Sequence, residues 1–154
     1  MMARLDQMTK GERDYLQSLP CPAFLSTPWV KPPALDQCRI AMVSSAGIHR
    51  RGDRPFDPGA SDYRIIPLTT AASDIVMSHV STNFDRTGFQ QDLNVIFPLD
   101  RLRELAERGF IKSVSDYHFA FMGATGPEKM EPAARNLARI MKSDGADAVL
   151  LVPV

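Results

Sequence analysis

Cysteine is scarce in this chain: two residues in 154, Cys21 and Cys38, set seventeen positions apart. So few, so spaced, cannot frame a disulfide scaffold. The three histidines, at positions 49, 79 and 118, show no short ligand spacing, so no metal site is expected. An excess of one charge is also missing. Eighteen Lys and Arg balance eighteen Asp and Glu, which argues against a nucleic-acid or anionic-membrane partner. No apolar run approaches the roughly 18–20 residues needed to cross a bilayer. The last such run, residues 148–154, is broken by Pro153. The start, Met1-Met2-Ala3-Arg4-Leu5-Asp6, lacks the apolar segment of a secretory signal. Neither G-x-G-x-x-G nor G-x-x-x-x-G-K-[ST] occurs, so no nucleotide cofactor is expected. What remains is a neutral chain, 44% apolar, of single-domain length, with a reducing cytoplasm as its expected setting.

Two regions differ in texture. Residues 1–38 form an N-terminal arm. In it, residues 9–19 suit a short helix with Thr9 as N-cap and Glu12 at the capping-box position. Pro20, Pro22, Pro28, Pro32 and Pro33 then rule out regular structure. With Phe24, Trp29 and Val30 interleaved, this stretch is expected to lie extended over the domain surface with its aromatics docked. Residues 39–154 read as an α/β domain. Short aliphatic runs at 40–43, 63–67, 75–77, 94–97, 117–122 and 147–154 suit strands. Residues 98–108 suit a helix with Leu99, Leu102, Leu105 and Ala106 on one face and Glu104 pairing with Arg108. A second helix, beginning at Pro127 or Pro132, presents Met130, Ala133, Leu137, Ile140 and Met141. Strands alternating with helices predict a layered α/β domain with a mostly parallel sheet and flanking helices. The final strand is expected to be central; left without a covering helix it would expose apolar surface and favour association with a second copy.

In such sheets ligands bind beyond the carboxyl ends of the strands. Three places qualify: residues 44–50, residues 122–127, and whatever follows Val154. Ser44 and Ser45, followed by Gly47, His49 and Arg50, can present hydroxyls and backbone N–H groups to an anion, or form an ordinary βα turn. Gly123, Ala124 and Thr125, between a strand and a helix, can cradle an anion or simply turn the chain. The run Ser78-His79-Val80-Ser81-Thr82-Asn83-Phe84-Asp85-Arg86 is the densest polar cluster. His79 titrates near neutrality and suits acid–base work, with Asn83 and Asp85 placed to orient it or to bind a polar ligand. The same residue types also make turns, and Asp85 suits a helix cap.

The stretch from Ile66-Pro67-Leu68-Thr69-Thr70 through His79-Val80-Ser81-Thr82-Asn83-Phe84-Asp85-Arg86 to Phe97-Pro98-Leu99-Asp100-Arg101-Leu102 resembles the selenoprotein B family of glycine, sarcosine, betaine and D-proline reductases. So does Gly123-Ala124-Thr125 taken with Asp144-Gly145-Ala146-Asp147 and the closing Val152-Pro153-Val154. The resemblance runs from about residue 39 to the end. It implies a reductase subunit that removes an amine from a small amino-acid-like substrate. A selenocysteine or cysteine attacks the carbon bearing the amine, and a thioredoxin-like or reductase partner restores the nucleophile. Short family members carry that nucleophile directly after the Val-Pro-Val strand, so it is expected beyond Val154, at a UGA codon read as selenocysteine. Cys21 and Cys38 do not occupy the family position. By position, the resemblance puts Ser44, Ser45, Asn83, Asp85, Gly123, Ala124 and Thr125 on the substrate pocket wall and His79 in catalysis. The alternative is a non-catalytic accessory protein of the same fold that binds a small carboxylate.

Overall fold

The computed structural model describes residues 5–20, 23, 30–80 and 86–154. In chain order its elements are α1 (Lys10–Ser18), β1 (Arg39–Ser44), β2 (Ile48–Arg50), β3 (Tyr63–Pro67), β4 (Ile75–Met77), α2 (Thr87–Gln91), α3 (Leu99–Glu107), β5 (Ser113–Val114), β6 (Tyr117–Phe121), α4 (Pro127–Ser143) and β7 (Ala148–Val152).

Strand β1 is the axis of the sheet. β5 and β6 run parallel to it along one flank, pairing in turn with residues 39–40 and 43–44. β7 runs parallel along the other flank, from Ile40 opposite Ala148 to Ser44 opposite Val152. β3 closes the far edge antiparallel to β6. The expected mixed α/β fold with a mostly parallel sheet is therefore the fold observed. Because successive strand side chains point to opposite faces, β1 feeds two cores at once. Ile40 and Met42 join Leu99 and Leu102 of α3, while Ala41 packs with Phe119, Leu137 and Met141 on the α4 side. A strand buried on both faces has to be aliphatic throughout, which is why residues 40–43 show no alternation.

The ladder between β1 and its β5–β6 flank is interrupted at residues 115–116, and a side chain fills the gap. The Met42 N–H donates to His118 Nδ1 at 3.2 Å in place of a carbonyl. His118 is fully buried, and burial pushes its pKa down to about 4. Below this, at the amino end of β1, Arg39 is held by Asp116 at 3.0 Å and Asp144 at 3.1 Å. Its backbone N–H donates to the Asp147 carboxylate at 2.9 Å. These bonds lock the entry of β7 to that of β1.

Several expectations need correction. Residues 94–97 are not a strand: Asp92 accepts the Asn94 N–H at 2.9 Å, and the Asn94 side chain bridges to Asp100. Such local side-chain bonds turn the backbone into the 3₁₀ turn Leu93–Val95, while Ile96 and Phe97 still bury. Glu104 pairs with Arg101, and Arg108 instead covers the Phe110 ring. Residues 44–50 lead into β2, which with β4 forms a separate antiparallel ribbon, and not into a helix. Among the described residues β7 pairs with β1 alone and so stands at an edge. Helix α4 starts at Pro127, with Pro132 inside it. In the arm, the Thr9–Glu12 capping box is present. The expected docking of Phe24 and Trp29 falls outside the described residues, as does Cys21, and Val30 beside them is 79% exposed. None of the described helices is long and apolar enough to cross a membrane.

Candidate functional site at the strand ends

Parallel pairing brings the carboxyl ends of β1, β6 and β7 to one edge of the sheet. Three short connections join them there. The Ser45 N–H donates to the Val152 carbonyl at 3.1 Å, the Gly123 N–H to the Ser45 carbonyl at 2.9 Å, and the Gly47 N–H to the Phe121 carbonyl at 2.8 Å. Gly123 has to be glycine, because a Cβ there would sit 2.8 Å from the Ser45 carbonyl oxygen. Gly47 is constrained twice. Its φ is +65°, and a Cβ would stand 3.0 Å from the Cα of His79.

That second contact seats His79 against the turn leaving β1. The Ser78 N–H donates to the Gly47 carbonyl at 3.0 Å, and the Arg86 guanidinium donates to the His79 carbonyl at 2.7 Å. His79 is 6% exposed. Burial first, and the nearby Arg86 charge second, lower its pKa below the usual histidine value. The uncharged ring is thereby favoured, and in that form it can accept a proton.

The two serines divide their work. Ser44, fully buried, donates from Oγ to the Ile96 carbonyl at 2.8 Å and accepts the Ala46 N–H at 3.2 Å. Its hydroxyl is committed to the fold. Ser45 faces the opening: its Oγ accepts the Val154 N–H at 2.8 Å and lies 3.4 Å from the Val154 carbonyl oxygen. Gly123 and Ala124 are exposed at the head of α4, whereas Thr125 is buried and donates to the Ala60 carbonyl at 2.7 Å. Asn83 and Asp85 lie outside the described residues.

The loop from residue 51 to 62 forms one wall. Arg64 holds it by donating to the carbonyls of Arg54 at 2.7 Å and Pro55 at 3.1 Å, with its guanidinium 4.3 Å from the Phe56 ring centre. The Phe56 N–H donates to Ser78 Oγ at 2.8 Å, which ties this loop to the His79 segment. Sequence reading gave Arg86, Ser78 and Ala60 no role. The only signal for the first two was their place in the same polar run, and Ala60 contributes through its backbone. A shallow, solvent-open depression lies elsewhere, lined by Thr70, Ile75, Asn94, Phe97, Asp100 and Arg103. Its polar groups bond one another, Asn94 to Asp100 and Arg103 to both Asp100 and the Leu68 carbonyl.

Comparison with known proteins agrees with the resemblance read from the sequence. A family described as glycine/sarcosine/betaine reductase selenoprotein B matches residues 5–154. D-proline reductase subunit gamma of Acetoanaerobium sticklandii is 35% identical over 140 residues, which cover 89% of this chain and 55% of that protein. Glycine reductase complex component B subunit gamma of Carboxydothermus hydrogenoformans is 32% identical over 151 residues, covering 92% of this chain and 34% of the relative. Sarcosine reductase complex component B subunit beta of Peptoclostridium acidaminophilum is 28% identical over 124 residues. The chain thus spans about half the length of the first of these and about a third of the second. No solved structure matches it. With nearly every residue inside the match, the chain belongs to the glycine/sarcosine/betaine reductase selenoprotein B family.

Proposed function

We propose that this chain is part of a selenoprotein B-type reductase subunit and builds the substrate-facing wall of its reaction site. The convergence of three parallel strand ends beside a buried, neutral His79, with Val154 held by Ser45, is the observation that carries the reading. The substrate is a small amino acid or N-substituted amino acid, the class named by the relatives. The attacking group is a selenocysteine or cysteine following Val154. The greater length of the relatives leaves room for residues outside the matched span.

The proposed reaction balances in three steps. The nucleophile forms a bond to the carbon bearing the amine as the carbon–nitrogen bond breaks. The proton lost by the nucleophile passes through His79 to the departing amine. A second thiol then attacks the selenium or sulfur, releasing the substrate carbon as a C–H product and leaving a selenenyl-sulfide or disulfide. A dithiol partner of thioredoxin or reductase type reduces that bond and restores the site. Such chemistry fits a reducing cytoplasm. Names such as "subunit" and "component" among the relatives support assembly with other proteins.

The test is to express the coding frame through the codon after Val154, with selenocysteine or cysteine there. Opening of the D-proline ring to a primary amine, or release of ammonia from glycine, is then measured with a dithiol reductant. Activity in that protein, lost on replacing the added residue by serine and cut at least about tenfold by His79→Ala, is expected. The 154-residue chain cleaving either substrate unaided would overturn the assignment of the nucleophile. Full activity in His79→Ala would overturn the role of His79.

A further inference from the structure

We propose that Ser45 is a positioning residue: it clamps the backbone leaving β7 and so fixes the place of the reacting group that follows. This rests on the reading of the β7 exit as the reaction point. Ser45 is the residue on which all three strand ends meet. Its N–H reaches β7 through the Val152 carbonyl at 3.1 Å, and its carbonyl receives the Gly123 N–H of the β6–α4 turn at 2.9 Å. Its hydroxyl accepts the Val154 N–H at 2.8 Å, with the Val154 carbonyl 3.4 Å away. The ladder bonds of β7 stop at Val152, so the hydroxyl extends the pairing to Val154 where no strand partner continues. Pro153 between them has no N–H to offer. The side chain of Ser45 therefore does what backbone pairing cannot do at that step. With Gly123 lacking a Cβ, the β6–α4 turn approaches Ser45 directly, and all three segments share one anchor. This use of the hydroxyl is distinct from the pocket-wall contact expected for Ser45 and takes one of its two acceptor positions.

The pair Ser45→Thr and Ser45→Val keeps shape and differs in the hydroxyl, so it isolates the clamp. Hydrogen exchange at the Val154 amide is the first readout. Ser45→Val is expected to speed it about fivefold, the loss of one hydrogen bond, with the Ala41 and Met42 amides unchanged; Ser45→Thr restores the slow rate. Equal exchange in the two variants overturns the clamp. Should Ser45→Val fail to fold, Ser45→Ala against Ser45→Thr makes the same comparison. The second readout uses a chain with cysteine directly after Val154 and follows its thiolate absorbance against pH. A midpoint displaced by Ser45→Val and returned by Ser45→Thr supports positioning, and a midpoint indifferent to the hydroxyl overturns it. Neither measurement involves turnover. A clamp that holds in a protein unable to cleave any substrate would leave the clamp itself standing and sink the reductase reading on which its positioning role rests.

Discussion

At the residue scale His118 links the ladder to pH. Its Nδ1 accepts the Met42 N–H, which requires a neutral ring with the proton on Nε2. Charging the ring would set two donors face to face inside the core. Its folded pKa of about 4 lies below the ordinary 6.5, so the unfolded chain binds this proton more readily. The stability it contributes is complete above pH 6.5 and is lost as pH falls toward 4. At 1.36 kcal/mol per unit, the loss amounts to about 3 kcal/mol. Urea unfolding at pH 7 and at pH 4.5 should show most of that difference. In His118→Ala the pH dependence over this interval should shrink, and stability at pH 7 should fall by at least about 1–3 kcal/mol for the orphaned Met42 N–H.

Among the elements, α1 stands apart. Its capping box is complete: Glu12 accepts the Thr9 N–H at 3.0 Å, and the Glu12 N–H reaches Thr9 Oγ1 at 3.4 Å. Yet the helix buries no residue. Thr9→Ala should cost about 1 kcal/mol of helix stability, seen as a loss of helical circular dichroism. The thermal midpoint of the sheet should not move. Local signals made this helix readable, an unbroken apolar run did so for β1, and periodicity for β6, α3 and α4. What escaped were features set by partners distant in sequence. Nothing in residues 63–67 says that β3 runs antiparallel, because an edge strand of either direction buries the same residues. β2 is three residues long and carries His49 and Arg50, too little for any pattern. The strand ends could be singled out as a candidate site from the α/β rule, and His79 as a candidate residue from its chemistry. The clamp by Ser45 could not, since it joins residues 109 positions apart. Nor could the commitment of Ser44 to Ile96, which depends on a loop whose sequence suits a strand.

On the scale of the whole molecule, the sheet has an unguarded side. Val149 and Leu151 of β7 belong to neither core, and Leu151 is 69% exposed. No charged residue interrupts positions 148–154. Edge strands of this kind associate unless a charge blocks them. This chain is expected to self-associate with rising concentration in sedimentation experiments, and Leu151→Lys should shift it toward monomer without lowering its unfolding midpoint. A mass that is independent of concentration in the unaltered chain would contradict this.

The wall formed by residues 51–62 carries a consequence for recognition. Arg64, Ser78 and Thr125 each grip it by its backbone, so a twelve-residue span that would otherwise sample many shapes is already set. On the proposed reading, a small guest arriving at the strand ends meets a finished surface. Its affinity is not diminished by freezing a mobile flap, and even a molecule with few atoms can be held.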